Sequence, residues 1–233
     1  VQRSTLDRLI EARAAKRPAA HLRWLEDGAE ALVVAGEVVV GHALPQAILD
    51  AVRAAHRRDR GTTVASERGP LFIQVFNPPL RLVVVGAVHI AQALVPMASL
   101  AGYDVTVVDP RRAFASDARF PGVDVRQDWP DEALEELQPD ARTAVVTLTH
   151  DPKLDDPALD VALRSEAFYI AALGSKRTHA GRLERLAELG HDQAALGRIH
   201  GPAGLSIGAV SPAEIALSVL AEMTRELRQG GAG

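Results

Sequence analysis

What this 233-residue chain lacks narrows its chemistry before any motif is read. It contains no cysteine, so disulfides, thiolate metal sites and cysteine nucleophiles are excluded together, while the redox compartment stays open. Aromatic residues make up only 4% of it, and no apolar run approaches the roughly 20 residues of a membrane span. The N-terminal stretch has no apolar h-region of a signal peptide, and Val1 in place of Met reads as an expressed or processed boundary. Basic excess is missing too: a net charge of −4 gives no footprint for nucleic acid. Neither a Ser-His-Asp ordering nor a nucleophile elbow is present, so no catalytic residue is assigned. A cytoplasmic protein is the default expectation.

What is present falls into two rhythms. Leu6, Leu9, Ile10 and Ala14 keep helical spacing over residues 4–17, and Pro18 ends that helix. Segments 21–26 and 29–34 flank Asp27-Gly28, a two-residue hairpin signal, and Glu37–Val40 adds a short strand. Pro45 suits the first turn of a helix lined by Ile48, Leu49, Val52 and Ala55 and ended by basic residues. Segments 62–66 and 71–76 form one more hairpin. Residues 1–76 are thus read as a small N-terminal α+β lobe, and Asn77-Pro78-Pro79 as a stiff linker.

From residue 80 to 233 strands and helices alternate, the mark of a parallel sheet. Strands are expected near 81–86, 103–109, 123–127, 143–148, 168–173 and 198–200, in 3-2-1-4-5-6 order. Helices are expected near 89–101, 131–138, 157–166, 176–189 and 212–228. Pro96 should disturb the first of these, Ser211-Pro212-Ala213-Glu214 should cap the last, and the tail from Gly230 should fray. Leu82–Val85, then Gly86, a helix, a second strand and Asp109 make the first half of a nucleotide-binding βαβ unit. The fold class is α/β, a Rossmann-like doubly wound parallel sheet. In the glycine fingerprint Gly86 is first, Ala91 serves as third, and Val88 replaces the second glycine, where a pyrophosphate would approach the backbone. Weak or absent NAD(P) binding follows.

Ligands of such sheets lie outside the carboxyl ends of the strands. The candidates there are Gly86, Ala87 and His89; Asp109 and Arg111; Thr149, His150 and Asp151; Gly174, Ser175 and Lys176; and Gly204. Gly174-Ser175-Lys176-Arg177 opens a helix and offers an anion cradle, against simple capping. Asp109 suits a ribose hydroxyl, against holding the Arg111-Arg112 loop. Of His150, Asp151, Asp155 and Asp156, only the first two are firmly placed, so no metal site is assigned.

The segments GAVHIA, VVDPRRAFASDARFPG, VTLTHDPKLDDPAL, YIAALGSKRTHAGRL and GPAGLSIGAVSPAEIALSVLAE together resemble the XdhC/CoxI family, accessory proteins of molybdenum hydroxylases such as xanthine and carbon monoxide dehydrogenases. The resemblance covers residues 80–228. It implies a non-enzymatic maturation role: binding the molybdenum cofactor as transient cargo, assisting its sulfuration with a cysteine desulfurase, and passing it to the apo-enzyme. It leaves room for a homodimer. Two departures stand out: GAVH replaces the family's GAGH, and the cysteine of its N-terminal domain is missing, with Gly41-His42 as a remnant of that region. No thiolate of this chain can therefore bind molybdenum. An NAD(P)-dependent oxidoreductase and a non-catalytic interaction subunit with an empty crevice are the alternatives.

Overall fold

The computed structural model describes residues 2–116 and 118–229. The expected fraying from Gly230 onwards lies outside the described residues. The chain divides into two compact units, Val1–Pro78 and Pro79–Gly233.

The first unit runs α1 (Arg3–Ala14), β1 (Ala19–Trp24), β2 (Glu30–Val34), β3 (Glu37–Val40), α2 (Gln46–Arg58), β4 (Thr62–Ser66) and β5 (Gly69–Phe76). Its antiparallel sheet has the order β3-β2-β1-β5-β4. Leu71, Ile73 and Val75 alternate to one face of β5, and Ile48, Val52 and Ala55 of α2 pack on that side. Leu9 and Ala12 of α1 pack with Ala19, Leu32 and Val34. Each such side chain taken out of water contributes about 1.5–3 kcal/mol for the larger residues. The first hairpin departs from the two-residue expectation. Its last pair is Arg23 with Glu30, Asp27 accepts from the Ala29 amide at 2.9 Å, and the Gly28 amide returns to Trp24 at 3.0 Å. Asp27 bonding the backbone two residues on makes a longer turn the better-satisfied solution.

The second unit runs β6 (Leu80–Val85), α3 (His89–Leu100), β7 (Tyr103–Val108), β8 (Asp124–Arg126), α4 (Pro130–Leu137), β9 (Thr143–Thr147), α5 (Pro152–Arg164), β10 (Tyr169–Ala172), α6 (Lys176–Glu188), α7 (Gln193–Leu196), β11 (Ile199–His200) and α8 (Pro212–Gln229). The strands are parallel, in the order β11-β10-β9-β6-β7-β8, which is the expected 3-2-1-4-5-6 pattern. Leu82 and Val84 face a core shared with α3 and α8; Val83 and Val85 face one shared with α4, α5 and α6. Coverage on both faces explains why β6 reads as an unbroken apolar run.

α5 begins five residues before the expected 157, at Pro152. Asp151 caps it by accepting from the Lys153 amide at 3.0 Å, and Pro152 occupies the first turn, where a missing N–H costs nothing. Pro157 sits inside the helix instead of starting it. α3 likewise continues through Pro96. The short α7 lies outside the expected elements; Asp192 caps it through the Ala195 amide at 2.8 Å. α8 has the expected capping box, with Ser211 donating its amide to Glu214 at 2.8 Å and accepting from the Glu214 amide at 3.3 Å.

Candidate functional site

Strand order reverses between β6 and β9, so the loops after these strands meet at the switch point. Gly86 has φ +108°, and a Cβ there would stand 2.7 Å from Thr149 Cγ2 and 3.2 Å from the Thr149 amide. The glycine is needed because the β9–α5 loop crosses it. The buried Ala87 donates its amide to Asp109 Oδ2 at 2.9 Å. Asp109 is itself fully buried, and it also accepts from the Arg111 amide at 3.0 Å and from Arg111 Nε and Nη2 at 2.8 Å each. Burial alone would push its carboxyl up; the bonds from Arg111 and Ala87 outweigh that and hold it below its ordinary value. These bonds draw Arg111 upward, with Asp109 first and the charges of Asp151 and Asp155 adding to it. Asp109 therefore fastens the turn and the arginine, which is the loop-holding role weighed beside its reading as a ribose acceptor. Val88 caps α3 by position, without a side-chain bond, and is half-buried against the α3 core; what covers Gly86 is Thr149.

His89 is exposed in the first turn of α3. His150 is exposed and left-handed, at φ +62°, a conformation costing a non-glycine residue about 1–2 kcal/mol. Thr149 holds this bend: its hydroxyl donates to Asp155 at 2.7 Å and accepts from the Asp151 amide at 3.0 Å. Asp155 and Asp156, not placed by the sequence pattern, are thus fixed by α5. Asp156 pairs with Arg185 at 2.5 and 3.1 Å. Asp155 is 1% exposed, and burial raises its carboxyl despite Thr149 and Arg182.

At the second glycine turn, Gly174 has φ +145° and Ser175 caps α6, accepting from the Thr178 amide at 3.1 Å. Lys176 and Arg177 are exposed. Beneath this turn lies Arg182, 2% exposed. Its Nη2 donates to the Leu173 carbonyl at 2.8 Å and lies 3.6 Å from Asp155 Oδ2. Nε and Nη1 of Arg182, Asp155 Oδ2 and His179 Nδ1 have no hydrogen-bond partner among the described residues. Burial and the neighbouring Arg182 lower the His179 ring from its ordinary value. His179 and Arg182, at i and i+3 on the helix, were legible as a pair in RTHAGR; the burial of the arginine was not, because cations default to solvent.

Gly204 donates its amide to Glu222 at 2.9 Å. Glu222, nearly buried, also accepts from the Tyr169 hydroxyl at 2.7 Å and lies near His200 and Arg225. Gly204 thereby ties the loop after β11 to α8. The predicted residues resolve into a tied switch point (Gly86, Ala87, Asp109, Arg111, Thr149), an α6 terminus (Gly174, Ser175, Lys176), and this separate Gly204 anchor. Among the described residues no three His, Asp or Glu side chains converge as for a metal ion, and no helix is long and apolar enough to cross a membrane.

A six-stranded parallel sheet in this order, with polar loops at its carboxyl edge, defines a Rossmann-like domain. The chain belongs to the XdhC family: the XdhC Rossmann domain matches residues 82–223. It is 36% identical over 148 residues to the molybdenum cofactor insertion chaperone PaoD of Escherichia coli, covering 64% of this chain and 40% of that one. It is 35% identical over 157 residues to a probable xanthine dehydrogenase subunit of Bacillus subtilis, covering 66% of this chain and 44% of that one. The chain thus spans less than half the length of either relative. A solved protein of Bacillus halodurans, described as a xanthine dehydrogenase, aligns with a TM-score of 0.70 at 25% identity, over 99% of this chain and 66% of that one.

Proposed function

We propose that this chain is a maturation factor for a molybdenum hydroxylase, carrying the molybdenum cofactor as transient cargo and releasing it to the apo-enzyme. The observation that carries this reading is the 36% identity to a molybdenum cofactor insertion chaperone over 148 residues. The structure adds physical support. A pterin cofactor ends in phosphate, and the N-terminal pole of α6 with the exposed Lys176 charge suits an anion. With no cysteine available, this chain has to grip its cargo through the organic part and the phosphate, leaving the metal end for the recipient. Exposed His89 and His150 suit contact with that outer end. A cysteine desulfurase acting on the same cargo, a cytoplasmic setting and a homodimer belong to the same reading.

The test is co-expression with a client hydroxylase in a host lacking its own accessory factor. The expected result is an active client carrying molybdenum, and a pterin that co-purifies anaerobically with this chain. Without the chain, client activity should fall at least tenfold. Full activity and full molybdenum loading in its absence would overturn the reading.

A further inference from the structure

We propose that Arg182 is the deep anchor of a phosphate-binding site at the N-terminal end of α6. The inference deepens the reading above, and rests on it only for naming the cargo as the bearer of the phosphate.

Three observations carry it. First, Arg182 is almost wholly buried, yet Nε and Nη1 donate to no acceptor among the described residues. A buried guanidinium is costly to leave unsatisfied, on the order of several kcal/mol, unless an acceptor is accommodated. Its pairing with Asp155 is loose, at 3.6 Å, while the neighbouring Arg185–Asp156 pair closes to 2.5 Å. Second, Arg182 is placed at the helix terminus and not elsewhere along α6. Nη2 reaches Leu173, and a Cβ on Gly174 would lie 3.7 Å from it. The guanidinium thus sits directly under the turn whose N–H groups open the helix, where the helix dipole favours negative charge. Third, His179, one turn along, is half-buried, has an unpartnered Nδ1, and stands with its ring directly against Gly201. It flanks Arg182 on the same helix, close enough for the guanidinium charge to act on its ring. A guanidinium fork beside the amides of a helix N-terminus is the donor set of a phosphate group. Asp155 is the internal competitor. It holds part of the arginine's charge until an anion replaces it.

The test titrates the purified full chain with inorganic phosphate, CMP and CDP by calorimetry, with thermal melts of each variant. Wild type should bind at least one of the three. Asp155→Asn removes the competitor without emptying the site and should tighten binding threefold or more. Arg182→Lys keeps the charge but loses the fork, and should weaken binding at least tenfold. The double variant Asp155→Asn/Arg182→Met replaces the pair by neutral groups of similar volume, which spares the fold an unpaired buried charge; it should not bind. Much tighter binding of CDP assigns the phosphate to a nucleotide ester, and equal binding of all three to the free ion; both uphold the site. No binding by wild type at millimolar probe, unchanged affinity in a folded double variant, or no gain in Asp155→Asn overturns it. The titration uses neither molybdenum nor client, so its failure leaves the maturation role standing, and failure of that role leaves the phosphate site standing.

Discussion

The two glycine turns that open α3 and α6 look alike in sequence and are used in opposite ways. Each follows a buried parallel strand, and each glycine has a positive φ, +108° at Gly86 and +145° at Gly174. At the first turn the backbone is already engaged: the Ala87 amide goes to Asp109, Thr149 fills the space above Gly86, and Val88 gives α3 no side-chain cap. At the second, Ser175 caps the helix, and the buried Arg182 beneath keeps donors to spare. The turn bearing the familiar fingerprint holds the fold together, while the less conspicuous one keeps the unpaired donors on which the proposed phosphate site rests.

The largest expected effect breaks this contrast at its structural end. Gly86→Ala places a methyl 2.7 Å from Thr149 Cγ2 and 3.2 Å from the Thr149 backbone, at a φ that alanine disfavours. The loss should be about 3 kcal/mol or more. Gly174→Ala meets the Thr178 side chain at 3.2 Å, which can shift by tenths of an ångström, and reaches only ordinary contact, 3.7 Å, with Arg182 Nη2. Its cost should be about half as large. Urea midpoints of the two variants measure the difference, and equal losses would dissolve the distinction.

A second, smaller effect separates the two buried carboxylates by sign. Asp109 is held below its ordinary value, so its contribution is present above that ordinary value and is lost as pH falls through the depressed one. Asp155 is raised, so the folded state binds the extra proton and stability declines as pH climbs from the ordinary to the raised value. Asp109→Asn should cost about 2 kcal/mol at pH 7, discounted because Arg111 is 37% exposed. That cost should shrink steadily towards pH 3. Asp155→Asn should instead steepen the acid side of the stability profile. Denaturant melts between pH 3 and 7 resolve both slopes, and a pH-independent cost for Asp109→Asn would contradict its assigned ion pair.

How far the sequence could be read depends on which physical rule was local. β6, the strand order and the α8 capping box were legible because apolar runs, alternation and Ser211/Glu214 spacing act over a few residues. Candidate polar ends were legible too, since strand ends follow from the strands. Their employment was not. Whether Asp109 faces a ligand or the Ala87 amide depends on a contact across 22 residues. The burial of Asp155 and Arg182 depends on α5 packing beside α6, and no charge pattern announces it. The early start of α5 hid behind Pro157, which reads locally as a helix start and is tolerated inside because Asp151 and Pro152 had already begun the helix.

The finest test concerns Val88. Sequence logic assigns it the obstruction of a dinucleotide, which makes Val88→Gly a gain-of-binding change. The geometry offers two further obstacles: Thr149 stands over Gly86 and Asp109 holds the Ala87 amide, and neither depends on the Val88 side chain. Removing that side chain gives up part of its packing against the α3 core, while glycine serves better than valine at the helix cap. The two terms nearly offset, for a net loss of about 0.5–1 kcal/mol. NAD and NADP titrated into Val88→Gly should give no more heat than into wild type at millimolar ligand. A micromolar dissociation constant in the variant alone would mean that the Thr149 loop yields readily. The first glycine turn would then be a binding site closed by a single methyl-bearing residue, and the contrast with the second would fall.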